Sequence, residues 1–290
     1  MRPISIFIRF FGNFTIEVNA QVVHVPLQGA TRELFCILLL NANRELRREK
    51  LIGMVWPDRC EASGNKLLST ALWRIRKLLD RFESFSMSCR DGTVCLSHGT
   101  DVSSDVSLLG RLVKNGLDGP RDDETNPEFY DQLSYTLSTH DDEFLEGTSG
   151  FWVQIERERF FNLRIQALGL LLNHAAALGH LENALSAGRR IIALDPYHEC
   201  TQRQIMWLYL ETGQQAKALL HFSQFEALLQ KEMQIAPMAE TLALRDLILA
   251  EGKNRMMQDK SDRSIILRRI FDEQAHQRHT VFKLLAAAPH

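Results

Sequence analysis

The sequence predicts a mainly α fold in two parts. An N-terminal winged helix-turn-helix with small β-sheets comes first, followed by an all-α, tetratricopeptide-like helical repeat domain. Three observations carry that expectation. The first hundred residues read as short strands, three helices and a β-hairpin, in that order. From about residue 150 the apolar spacing is helical throughout. And LGHLENAL at 178–185 aligns with TGQQAKAL at 212–219 at an offset of 34 residues, the period of a stacked helix pair. A chain of 290 residues with 45% hydrophobic and 24% charged content has room for two ordinary cores.

The N-terminal elements follow from local pattern. MRPISIFIRFFGNF alternates apolar and polar residues and lacks a small-residue cleavage site, so it reads as strand rather than signal peptide. Short strands are expected from ISIFIRFFG, FTIEVNA and QVVHVP, with Asn19-Ala20 as a turn and Pro26 as a stop. TRELFCILLLNA, from Thr31 to Ala42, is apolar on two faces and predicts a buried first helix. A second helix is expected over 47–55, ending at Trp56-Pro57-Asp58, where proline cannot extend it. The third, NKLLSTALWRIRKLLD at 65–80, follows a polar approach, CEASG. SMSCRDGTVCLSHG then gives two strands around Asp91-Gly92, a pair suited to a tight hairpin turn.

The third helix divides its residues by chemistry. Leu68, Leu72, Ile75 and Leu79 share one face, while Lys66, Arg74, Arg76 and Lys77 lie opposite with Ser69, Thr70 and Trp73 among them. For an isolated helix a solvated face would be the plainer reading. The charge distribution and the neighbouring elements favour another. Residues 1–100 hold 14 Lys/Arg against 9 Asp/Glu, and the rest of the chain 20 against 27, within a net charge of −2. A basic N-terminal third on an acidic remainder suggests a polyanion contact at one end. In a helix-turn-helix the second helix of the pair lies in the major groove, its inner face anchored and its outer face toward bases and phosphates. The expected base contacts are Lys66, Thr70, Trp73 and Arg76, and the expected phosphate contacts Arg32, Arg47, Arg74, Lys77 and Arg90. Arginine suits guanine through its planar fork. Trp73 has a second reading, as a residue packed against the wing.

LRREKLIGMVWPD, NKLLSTALWRIRKLL and DGTVCL, in that order, resemble the OmpR-like winged helix of activators of the Streptomyces antibiotic regulatory protein (SARP) type. The fit rests on Arg48, Glu49, Leu51, Trp56, Pro57 and Asp58, then on Leu68, Ala71, Leu72, Arg74, Arg76, Lys77 and Leu79. Ser69 stands where relatives often carry arginine, Trp73 where a small polar residue is usual, and Arg47 where a helix-starting Ser or Thr is usual. The family's preferred DNA sequence therefore does not carry over.

The remainder divides into a linker with the first helices of the activator domain at 107–142, a tetratricopeptide-like domain at 143–251 and a helical tail at 252–290, after a winged helix at 1–106. The 34-residue offset extends upstream, where Leu171, Leu172 and Ala176 match Ile205, Met206 and Leu210. FLEGTSGFWVQIERER, AGRRIIALDPYHECTQRQIMWLYLETGQQAKAL and MQIAPMAETLALRDLI also resemble the bacterial transcriptional activator domain, which follows the winged helix in the same family. The double resemblance implies a cytoplasmic bacterial transcriptional activator. It would bind double-stranded DNA as a homodimer on repeated half-sites and contact RNA polymerase, typically its sigma subunit. Larger relatives carry an ATPase module after these domains; the sequence ends before one, implying no ATP-gated control within the same chain. The repeat domain could also hold an unknown peptide or small ligand.

Catalysis finds no support in the sequence, which holds no GK[ST] phosphate loop, GxSxG elbow or HExxH pair. No cofactor or metal site is expected. Cys36, Cys60, Cys89, Cys95 and Cys200 show no CxxC spacing, and their odd number points to a reducing compartment. Cys89 and Cys95 flank the hairpin turn, and a bridge between them is disfavoured. No apolar run is long enough to span a membrane. In the tail, Arg268, Arg269, His276, Arg278 and His279 would suit a second polyanion contact or a metal pair, but a helix capping the last repeat or a partly disordered tail is the favoured reading. The alternative for the whole chain is a tetratricopeptide-type protein-interaction adaptor whose winged helix does not bind DNA.

Overall fold

The computed structural model describes residues 5–118, 127–139 and 141–253. The expected tail, from 254 onward and including His276 and His279, lies outside the described residues, as does the acidic stretch at 119–126. The described residues form two compact units, one within 5–112 and 135–163, the other within 113–134 and 164–253. Among the described residues, no helix is long and apolar enough to cross a membrane.

In the first unit, β1 (Ile6–Arg9) and β2 (Thr15–Val18) pair antiparallel, with Ile6, Ile8 and Ile16 turned into the core. The expected turn at Asn19-Ala20 leads to β3 (Gln21–Val23), both turn residues having positive φ, 50° and 64°. Then α1 (Gly29–Leu40) buries Leu34 through Leu39, as its two-sided apolar pattern requires. Asn41 closes it, donating from its backbone N and its Nδ2 to Ile37 O.

Helices α2 (Arg48–Val55) and α3 (Glu61–Leu79) form the helix-turn-helix pair. α2 ends at Trp56, before Pro57, as expected. α3 begins four residues before the sequence suggests, so CEASG supplies its cap and first turn rather than an approach to it. Gly64 explains both the misreading and the fold. It reads as a helix breaker, yet it is buried against α2, and a Cβ there would overlap Ile52 Cγ2. The glycine lets the two helices approach closely, and Glu61 in the first turn complements the helix dipole.

The wing is β5 (Phe85–Arg90) and β6 (Thr93–His98), joined at Asp91 (φ 47°) and Gly92 (φ 74°), the two positive-φ positions of a type I′ turn. A two-residue strand, β4 (Leu46–Arg47), completes a sheet of order β4-β6-β5, with Leu46 opposite Val94 and Arg47 opposite Thr93. Cys89 pairs with Val94 and Cys95 with Ser88, so the two thiols point to opposite faces and no bridge joins them. β7 (Val102–Ser104) runs parallel to β1, giving the order β3-β2-β1-β7.

Asp105, the first residue of α4 (Asp105–Asp118), is wholly buried. Its Oδ2 accepts from Phe10 N and Phe11 N at 2.8 and 2.9 Å, and its Oδ1 from Val106 N at 2.7 Å. Beyond α5 (Pro127–Thr139), residues 143–146 add to the same end of β1: Gly12 N donates to Glu143 O, Leu145 N to Phe10 O and Glu146 N to Gly12 O. Phe10 stacks on Phe144 and Phe11 meets Phe160 edge-on. In α6 (Phe151–Ala177), Trp152 Nε1 donates to Glu33 Oε2 at 3.0 Å, and Arg157 donates to the carbonyls of Phe144, Leu145 and Thr148.

The second unit is helical. The latter part of α6 is followed by α7 (Leu181–Leu194), α8 (Glu199–Glu211), α9 (Gln215–Glu232) and α10 (Ala239–Lys253). The 34-residue repeat recurs bond for bond. Gly179 N donates to Ala176 O and His180 N to Ala175 O; one period later Gly213 N donates to Leu210 O and Gln214 N to Tyr209 O. Gly179 and Gly213 both adopt the left-handed conformation that ends a helix this way, φ 73° and 72°. Ala184 and Ala218, also one period apart, are both fully buried. α8 is central, burying every residue from Cys200 to Leu208. Glu199 Oε1 accepts from Met238 N and Thr241 Oγ1, and Arg203 Nη1 donates to Thr241 Oγ1, fixing α10 to α8.

Candidate nucleic-acid interface

α3 is built to be held on one side and open on the other. Leu68, Ala71, Leu72, Ile75, Leu78 and Leu79 are buried, and Gly64 seats the helix on Ile52 of α2. The outward row runs Lys66, Thr70, Trp73, Lys77 at intervals of four, three and four, and all four residues are exposed. Thr70 Oγ1 donates to Lys66 O at 3.0 Å. Trp73 is 62% exposed, which removes its reading as a wing-packing residue. Lys77 Nζ lies 5.4 Å from the Trp73 ring centroid, a cation–π contact.

The flanks differ from this row. Arg76 leans to the wing, its Nη2 3.4 Å from Met87 O and 3.9 Å from Cys89 Sγ. Arg74 stands exposed on the other side. Arg48, which sequence reasoning assigned no role, opens α2 and reaches across to α3: its Nε donates to Asn65 Oδ1 at 3.3 Å and its Nη2 to Ser69 Oγ at 2.9 Å. Its place as the first residue of the helix preceding α3 was the available signal. Arg32, also expected at a phosphate, lies on α1. It is half-buried, donates to Phe14 O and lies over the Phe14 ring, closing the sheet onto α1.

At the wing, Thr93 is opposite Arg47 on one side and opposite Arg90 on the other, so the three side chains stand in one row on one face. Strands lie about 4.8 Å apart, which separates the two arginine backbones by about 10 Å. The opposite face carries Leu46 and the buried Val94. The alignment of Arg47 and Arg90 in one row was invisible in the sequence because a two-residue strand has no periodicity. Among the described residues, none of Lys66, Arg74, Lys77, Arg47 and Arg90 forms an ion pair with a carboxylate. In the repeat unit, by contrast, His221 is packed away, and burial with the nearby Arg189 charge lowers its pKa to about 4.

A winged helix followed by a helical repeat unit defines a class of regulators of transcription, the SARP type indicated by the sequence motifs. Residues 104–249 match the bacterial transcriptional activator domain, and the chain belongs to that family. The family is one of transcriptional regulators rather than enzymes. Regulatory protein AfsR of Streptomyces coelicolor is 26% identical over 219 residues, which are 75% of this chain and 22% of AfsR. The chain thus spans about a fifth of that relative's length. EmbR of Mycobacterium tuberculosis, solved in complex with a low affinity phosphopeptide, shares the fold with a TM-score of 0.72 at 17% identity, over 97% of this chain and 71% of EmbR.

Proposed function

We propose that the chain is a sequence-specific transcriptional activator that docks α3 in the major groove of double-stranded DNA and recruits RNA polymerase. The observation that carries this is the exposed face of α3, with Lys66, Arg74 and Lys77 free of acidic partners among the described residues. Three cations left unpaired on one helix repel each other, and a polyanion relieves that repulsion. A groove about 12 Å wide admits a helix with its side chains.

In this reading Lys66, Thr70 and Trp73 meet base edges, while Arg74 and Lys77 on α3 and Arg47 and Arg90 on the wing neutralise phosphates. Arg76 sits at the junction of helix and wing, close to both backbone and base edges. Polymerase contact, by way of the sigma subunit, and homodimeric binding to repeated half-sites rest on the family, as does a cytoplasmic location. The repeat unit offers the surface for a peptide or small-molecule signal.

The test is binding of the full chain to duplexes selected from a random pool, against a scrambled duplex, over a salt series. Log affinity should fall linearly with log salt. Arg74→Ala should weaken selected and scrambled duplexes alike and lower the salt slope by about 1, whereas Arg76→Ala should cost about 1–3 kcal/mol on the selected site. No binding even at low salt would overturn the proposal and leave the protein-interaction adaptor as the reading.

A further inference from the structure

The centre of the outward row on α3 is apolar, unlike its ends. Thr70 commits its hydroxyl to Lys66 O within the helix, and its γ-methyl is the group left to present outward. Trp73, three residues on, is 62% exposed, with Lys77 Nζ over its ring. Residues three apart are neighbours on a helix surface, so methyl and indole form one patch between Lys66 and Lys77. Arg76, on one side of this row, is drawn aside by Met87 O and Cys89 Sγ, and Arg74 stands exposed on the other.

From this we infer that the centre of α3 reads thymine through its C5-methyl group, with Thr70 and Trp73 as the specificity-determining residues. The thymine methyl is the apolar feature of a base edge in the major groove, and threonine methyls and aromatic rings are the groups that meet it. A tryptophan 62% exposed gains by leaving water, and Lys77 beside it neutralises the phosphate that brings it there. The inference rests on the DNA-binding reading above and names the base that α3 selects.

The experiment takes the site that the full chain enriches from a random duplex pool and replaces each thymine in turn with deoxyuridine, which removes the methyl alone. Affinity should drop about fourfold at one or two positions, the factor for one buried methyl-sized group. Thr70→Ser, which removes the side-chain methyl and keeps the hydroxyl, should abolish the discrimination at one position, and Thr70→Val should retain it. Trp73→Ala should abolish it at the neighbouring position. Both residues are exposed, so these variants leave the buried face of α3 intact. An enriched site indifferent to uracil throughout overturns this inference and leaves DNA binding standing. Discrimination kept by Thr70→Ser and lost by Thr70→Val means hydroxyl readout and overturns it too. Selection that enriches no sequence overturns both readings.

Discussion

Asp105 is the residue whose surroundings and charge are most at odds. Three backbone N–H groups favour its ionised form, but burial outweighs them and pushes the pKa from 3.8 up to about 6. A carboxyl that holds its proton more tightly folded than unfolded stabilises the fold when protonated. That contribution is complete below about pH 4, declines as the pH rises towards 6, and is gone above it. Urea unfolding of wild type and Asp105→Asn at pH 4 and pH 7 checks this. The advantage of wild type over the variant should be larger at pH 4, and an advantage that grows towards pH 7 would contradict the assignment. None of this was legible in the sequence. Asp105 carries no distinguishing pattern there, and its partners, Phe10 and Phe11, lie more than ninety residues away. The exposed row was legible, because helical periodicity alone assigns Lys66, Thr70, Trp73 and Lys77 to one face. What periodicity does not give is where a long side chain turns, and so Arg76 and Arg32 acquired intramolecular partners that only the fold reveals.

Among the elements, those announced by strong local chemistry came through the sequence intact: the Asp91-Gly92 hairpin, the stop at Trp56-Pro57 and the buried α1. β4 and β7 did not, since strands of two and three residues owe their existence to the partner strand rather than to their own pattern. The start of α3 was missed because Gly64 has poor intrinsic helix propensity, whereas its close approach to Ile52 is a tertiary requirement. Gly64→Ala sets the two effects against each other. Alanine favours the isolated helix by about 1 kcal/mol, but overpacking a tight site destabilises by about 1–3 kcal/mol. With backbone pressed on a branched side chain, the steric effect should win, and the variant should melt below wild type. Adding Ile52→Ala should make the combined loss smaller than the sum of the single losses, because one change removes the obstacle to the other. Strict additivity in thermal or urea unfolding would show that the contact is not the cause.

For the whole molecule, the 34-residue repeat was readable because stacking imposes one cap on successive helices, and Gly179 and Gly213 record it. The composition of the first unit was not readable, since residues 135–163 join it through contacts more than a hundred residues distant in sequence. Those contacts are substantial. Residues 143–146 satisfy backbone groups of Phe10 and Gly12, Phe144 covers Phe10, Phe160 meets Phe11, and Arg157 gathers three carbonyls of the connecting turn. A chain ending at residue 112 would expose these phenylalanine rings and leave backbone donors and acceptors at the end of β1 without partners, a loss large against the few kcal/mol that hold a small domain together. It should therefore melt well below a chain ending at 163, bind a hydrophobic dye and associate on concentration, while the longer chain unfolds cooperatively. Equal melting temperatures for the two would mean that the winged helix is self-sufficient. The predicted difference has a functional corollary: a change at Trp152 or Arg157, within the matched activator domain, should loosen the same body that carries α3.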